Sequence, residues 1–183
     1  TLAFGRQREI ADAIAGASPF LRQLMLRDRE FSERVFTAEA NPLLDEILAD
    51  VERAAALQDK AAFMRALRQA KGKAALLIAV VDVGQAWSLE EVTQALTRFA
   101  DACVASAVNF LLRESGANPS KRSGYAVLAM GKHGAFELNY SSDIDLIVFF
   151  EPRLARMKPG LEPLQFFVRL TRDLVKMLQE RTG

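Results

Sequence analysis

A chain of 183 residues, half of them hydrophobic, is long enough to bury a sizeable core as one large domain or two small ones. Lys and Arg number 24 against 23 Asp and Glu, and the resulting charge of +1 creates no global field that would gather nucleic acid or a membrane surface. With Cys103 as the only cysteine, a disulfide framework and a cysteine-based zinc site are excluded; no signal-peptide pattern opens the chain, so it is read as cytoplasmic.

Up to about Glu114 the dominant signal is helical period, with apolar residues three and four apart. Ile10 and Ile14 suggest a first short helix, Ser18-Pro19 starts a second, and Phe31, Val35 and Phe36 mark a third. Asn41-Pro42 reads as an N-cap with proline at the first helical position, and Leu44, Ile47, Leu48, Val51 and Ala55 form one stripe. Asp59 caps the next helix, which carries Phe63, Ala66, Leu67 and Ala70, passes through Gly72 and runs on to about Val81. Its apolar run, Ala74 to Val81, is the longest in the chain and far short of the roughly 20 residues of a membrane helix. Ser88-Leu89-Glu90-Glu91 has capping-box spacing, and Leu89, Val92, Leu96, Phe99, Cys103, Ala107 and Phe110 follow at helical intervals.

From Ser115 to Gly124 the composition turns to Ser, Gly, Asn, Pro and Lys, which places a boundary between a helical region, 1–116, and a second region, 117–183. Tyr125 to Met130 and Ile144 to Phe150 read as strands, and Pro152 ends the second. After a loop holding Pro159 and Gly160, Leu164, Phe167, Val168, Leu174, Val175 and Leu178 mark a last amphipathic helix. The expected architecture is α+β: a helical region followed by a truncated mixed sheet. A two-stranded ribbon is marginal in water, so a third strand is expected after Gly183. The chain starts at Thr1 rather than Met and is read as a piece of something longer.

The chemistry concentrates between the two strands, in Met130-Gly131-Lys132-His133-Gly134, Glu137-Leu138 and Ser141-Ser142-Asp143-Ile144-Asp145-Leu146. Gly131 and Gly134 let the backbone turn sharply after the first strand and expose N–H groups that can hold phosphate oxygens. Asp143 and Asp145, two apart at a strand entry, point to one face roughly 7 Å apart and can grip one Mg²⁺. Hard divalent cations keep places open for substrate phosphates, so the pair beside a phosphate-binding turn forms a coherent nucleotidyl-transfer site. A glycosyltransferase Asp-X-Asp usually follows an apolar strand; here the strand follows the pair. Ser142 either accepts a phosphate hydrogen bond or caps local backbone. Lys132 either neutralises a phosphate or is an exposed turn lysine. His133, the only histidine, reads as a turn residue, and Glu137 as one that orients the turn.

These residues resemble the DNA polymerase β-like nucleotidyltransferase superfamily. Within it, Gly131 through Leu146 is similar to the signature of the bifunctional glutamine synthetase adenylyltransferase/adenylyl-removing enzymes. His133 and Ala135 stand where that family commonly has Leu and a second Gly. The helix from Ser88 to Leu112, the Ile78–Asp82 segment and Leu174–Gly183 extend the likeness over about residues 70 to 183.

The resemblance implies two homologous nucleotidyltransferase copies in the family, and Glu137 to Asp145 looks more like the first, which removes AMP from a tyrosine of glutamine synthetase by phosphorolysis, giving ADP. By the same resemblance Asp143 and Asp145 hold Mg²⁺, while Gly131, Lys132, Gly134 and Ser142 position the phosphates of ADP or ATP. Glutamine synthetase and a PII-type signal protein are the implied partners. The family's third carboxylate lies on a strand beyond a segment like Glu180–Gly183, so the chain alone is expected to turn over poorly or not at all. Two other readings share these residues: the adenylylating copy or another protein-modifying nucleotidyltransferase, and an interaction module that binds glutamine synthetase or a PII-type protein.

Overall fold

The computed structural model describes residues 4–116, 123–154 and 162–179. Six helices come first: α1 (Phe4–Ala17), α2 (Pro19–Arg27), α3 (Arg29–Thr37), α4 (Ala40–Ala54), α5 (Lys60–Val83) and α6 (Leu89–Glu114). Strand β1 (Tyr125–Met130), a single helical turn α7 (Gly131–Gly134), strand β2 (Asp145–Phe150) and helix α8 (Pro163–Gln179) complete the fold. The architecture is α+β and mainly helical. The two strands pair antiparallel, Tyr125 opposite Phe150 and Met130 opposite Asp145, so what the sequence suggests as mixed is an antiparallel ribbon among the described residues. The turn-rich stretch 117–122, the loop with Pro159 and Gly160, and the terminal Glu180–Gly183 segment lie outside the described residues.

Local chemistry explains four of the helix starts. The side chains of Ser18, Asp28 and Asp59 accept from backbone N–H groups at the openings of α2, α3 and α5. At α6 the capping box closes both ways: Glu91 N–H donates to Ser88 Oγ at 3.2 Å and Ser88 N–H donates to Glu91 Oε2 at 2.7 Å. Helix α4 departs from expectation, since it starts at Ala40 with Glu39 as an N-cap that makes no side-chain bond. Asn41 and Pro42 thus lie inside the first turn, where a missing proline N–H costs nothing because that donor has no helical partner.

The core is one cluster built from α1, α3, α4, α5, α6 and α8. Phe63 of α5 stacks on Phe110 of α6 at 4.4 Å, and buried Ser106 of α6 donates to the Val51 carbonyl of α4 at 2.6 Å. The α4 stripe uses Leu43, Leu44, Ile47, Val51 and Ala54, with Ala55 displaced to the C-cap. Leu89 opens α6 exposed rather than buried. Helix α6 alone among the described helices is long and apolar enough to cross a membrane. It packs against α4, α5 and α8, however, and its Arg98 pairs with Asp45 of α4 at 2.6 Å, which marks a core helix.

Helix α8 attaches the ribbon to the bundle. Its buried line is Phe167, Leu170, Leu174 and Met177, whereas Leu164, Val168 and Val175 are exposed. Phe167 stacks on Tyr125 of β1 and Phe150 of β2, with centroids 5.8 and 4.9 Å away. Tyr125 also hydrogen-bonds Thr171 through its hydroxyl at 2.9 Å. The ribbon's half-buried face is thereby fixed on α8, and the alternate residues, including Leu128, Met130, Asp145, Ile147 and Phe149, face outward.

Candidate active site

The register of the ribbon builds the site. Met130 ends β1 directly opposite Asp145, the first residue of β2, so the glycine turn that follows Met130 begins beside the Asp145 carboxylate. Gly131 adopts φ +55°, a left-handed conformation, and a Cβ there would stand 3.1 Å from Asp145 Oδ2. Glycine is favoured at this position by conformation, and a Cβ there would also press on the carboxylate beside it. Gly134 is required for space alone, because its Cβ would come within 2.5 Å of the Ala129 carbonyl oxygen. Ala135, in place of a second glycine, has φ −86°, a conformation open to any residue. Phe136 carries the unusual geometry instead, exposed and at φ +61°.

Three backbone bonds close the turn, from Ala135 N–H to Gly131 O, Phe136 N–H to His133 O and Glu137 N–H to Lys132 O, at 3.0, 3.2 and 2.8 Å. The N–H groups that open such a turn have no acceptor within it, which suits an anion. Lys132 is exposed, as an approach-guiding cation or a plain turn lysine would be. Glu137 is exposed too, and no hydrogen bond from its carboxylate orients the turn among the described residues.

Asn139 organises the segment before the carboxylates. Its Oδ1 accepts from Ser141 N–H at 3.1 Å, from Ser141 Oγ at 3.2 Å and from Ser142 Oγ at 2.9 Å, while Asn139 N–H donates to Ser142 Oγ at 3.0 Å. Of the two possibilities open for Ser142, local capping is the one formed here. Asp143 precedes β2, which starts one residue later than Ile144, and Asp145 opens it; both are exposed. Exposure alternates from Asp143 through Phe149, as it does when residues two apart share a face. The two carboxylates fit a Mg²⁺ ion, which takes one or two protein carboxylates and fills its remaining places with water and phosphate oxygens, and the turn beside them suits the phosphate. No cluster of three or more Asp, Glu, His or Cys side chains stands ready for a metal among the described residues.

Two contacts to the helices lie beyond what the sequence predicts. His133 is buried, 2% exposed, and its Nε2 lies 2.9 Å from Asp101 Oδ1 on α6. It is a link between turn and bundle, and not a plain turn residue. Tyr140 donates its hydroxyl to Asp82 Oδ2 near the end of α5 at 2.8 Å, and burial, reinforced by that carboxylate, pushes the phenol's pKa well up. The only signal of these contacts in the sequence is that Asp82 and Asp101 sit within otherwise apolar helical stretches. A groove of about 830 Å³ between β2 and α8 includes neither Asp143 nor Asp145. Chemistry, and not concavity, marks the candidate site, on the outward face of the ribbon.

A glycine turn at the end of one strand, set against a carboxylate at the start of its neighbour, is an arrangement suited to metal-assisted phosphoryl or nucleotidyl transfer. The sequence profile of the glutamate-ammonia ligase adenylyltransferase family matches residues 9–183, and the chain belongs to that nucleotidyltransferase family. It is 43% identical over its whole length to a protein of Bradyrhizobium sp. strain BTAi1 named bifunctional glutamine synthetase adenylyltransferase/adenylyl-removing enzyme, of which it covers 20%. Proteins of the same name from Rhodopseudomonas palustris strain TIE-1 and Brucella suis biovar 1 are 46% and 38% identical over 93% and 98% of the chain, with 18% and 20% of their own lengths covered. The chain therefore spans about a fifth of the relatives it matches, and the likeness reaches the first helices as well as residues 70 to 183.

Proposed function

We propose that this chain forms part of an adenylyl-removing nucleotidyltransferase acting on glutamine synthetase in the cytosol. In the reaction an oxygen of inorganic phosphate attacks the phosphorus of tyrosine-linked AMP, and the bond from that phosphorus to the tyrosine oxygen breaks. The proton of the attacking phosphate passes to the departing phenolate, and the products are ADP and the free tyrosine. Asp143 and Asp145 are the side chains that would hold Mg²⁺, which when bound neutralises charge on the phosphoryl oxygens. Gly131 and Gly134 keep the turn's N–H groups open to a phosphate, Lys132 offsets its charge, and Ser142 with Asn139 fixes the approach to the carboxylates.

The observation that carries this reading is the seating of Asp145 Oδ2 against the α-carbon of Gly131, which joins phosphate turn and metal ligand into one site. The direction of transfer rests on the likeness of Glu137 to Asp145 to the removing copy. The relatives' shared name supports glutamine synthetase as the partner.

The test is an assay of the protein that carries this segment, at its full encoded length, on adenylylated glutamine synthetase with phosphate and Mg²⁺. ADP release that Asp143→Asn and Asp145→Asn each abolish supports the reading. AMP transfer from ATP to unmodified synthetase, lost in the same variants, would assign the adenylylating copy instead. Binding of the synthetase, or of a PII-type protein, with neither activity would favour the interaction module.

A further inference from the structure

Far from the ribbon, α2 and α3 cross α5 and leave a groove of about 480 Å³ between them. Gly72 allows the close crossing, because a Cβ there would meet Leu24 Cδ2 at 2.9 Å. Arg27, Arg65, Arg68 and Lys73 line the groove, against a single acid, Asp28. In a chain with 24 cationic and 23 anionic side chains this is a marked local excess of positive charge.

The neighbours neutralise it only in part. Asp28 accepts from Phe31 N–H at 3.0 Å as the cap of α3. Arg65 reaches Asp59 only at 3.7 Å, with both side chains more than half exposed, and Lys73 stands over the Phe31 ring at 5.2 Å. Arg68 is the most telling of the four. Its Nη2 is sealed from solvent and has no hydrogen-bond partner among the described residues. A guanidinium that has lost part of its hydration without gaining an acceptor is a charge awaiting a counter-ion, since such a buried donor is otherwise costly.

We infer that this groove binds a compact polyanion, a phosphate ester, a polyphosphate or a small polycarboxylate. Arginine pairs three apart on one helix turn, here Arg65 and Arg68, offer planar forks suited to phosphate or carboxylate oxygens, and Lys73 and Arg27 add mobile point charges. The groove shares no residue with the glycine turn or with Asp143 and Asp145. It is a second site, and its occupant would act on α5, whose far end holds Tyr140 through Asp82.

The test is titration calorimetry of the 183-residue chain in metal-free buffer with pyrophosphate and, separately, with citrate. Saturable binding of either is expected, weakened about ten- to a hundredfold by Arg68→Gln, as loss of a charge-assisted hydrogen bond predicts, and unchanged in the Asp143→Asn, Asp145→Asn double variant. Preference for pyrophosphate assigns a phosphate ligand, preference for citrate a carboxylate one. Circular dichroism checks that Arg68→Gln is folded; if it is not, the double change Arg65→Gln, Lys73→Gln replaces it with the same expectation. Binding that survives these changes, binding lost with the aspartates, or no saturation by either anion overturns the inference. Because no metal is present and no turnover is measured, the result is independent of the reaction assigned to the ribbon.

Discussion

His133 and Asp101 are 32 positions apart in sequence and 2.9 Å apart in space, and theirs is the side-chain bond that ties the glycine turn to the longest helix of the bundle. With Nε2 facing a carboxylate, that nitrogen carries the proton and donates, and Nδ1 is left buried without a partner among the described residues. Asp101→Ala would strand both ring nitrogens, at a cost of about 1–3 kcal/mol. His133→Leu removes the stranded group altogether and frees a half-exposed carboxylate to water, so it should change stability by less than about 1 kcal/mol or raise it. Urea unfolding of the two variants decides the point. Equal losses would mean that ring packing, and not pairing, matters here.

Gly131 and Gly134 should fail differently when changed to alanine. At Gly134 the added methyl meets a backbone oxygen that cannot swing aside, and a loss of about 1–3 kcal/mol in stability is expected. At Gly131 it meets the Asp145 side chain, which can turn away, and the left-handed backbone adds about 1–2 kcal/mol. Gly131→Ala should therefore weaken Mn²⁺ binding, read by electron paramagnetic resonance, out of proportion to its melting shift. Gly16→Ala, which meets open space, is the control.

Much of this fold is legible in the amino-acid sequence, because capping is a local affair. Ser18, Asp59 and Ser88 announce their helices by side chains that reach only two or three residues along the chain. The Ser88 cap also yields a prediction: Ser88→Ala should cost about 1 kcal/mol at neutral pH. Hydrogen bonds from Ser88, backbone first and then side chain, hold the Glu91 carboxyl below its ordinary value of 4.5. A depressed carboxyl contributes stability above its unfolded value and loses it as pH falls, so the difference between the parent and Glu91→Gln should shrink in acid. Melting curves that keep a constant gap down to low pH would contradict this.

Alkali should unfold the protein from within. Burial pushes the Cys103 thiol up to about 12, with Lys71 drawing it the other way. Burial likewise raises Tyr140, helped by the Asp82 bond and charge, and Tyr125, opposed by Thr171. Each group is raised on folding, so its stabilisation is complete below the unfolded values, 9.0 for the thiol and 10.0 for the phenols, and is lost as pH climbs beyond them. Tyrosinate absorbance should accordingly rise together with loss of helical circular dichroism. A phenolate signal near pH 10 in a chain whose helices are intact would show the tyrosines to be free.

By itself the sequence determined what rests on neighbours along the chain: the capped helices, the strands about the glycine turn, and the residue types of a candidate phosphate and metal site. The α4 start and the buried line of α8 are less legible, since proline suits any first-turn position and helical period alone does not say which apolar stripe faces inward. Only the tertiary structure decided that Phe167 would seat the ribbon, that Gly131 would lie against Asp145, and that His133 and Tyr140 would reach Asp101 and Asp82. Those pairings join residues whose separation carries no periodic signal. Packing of the helices on α5 and α6 fixes where each partner stands, and a burial pattern read along one segment holds no record of it.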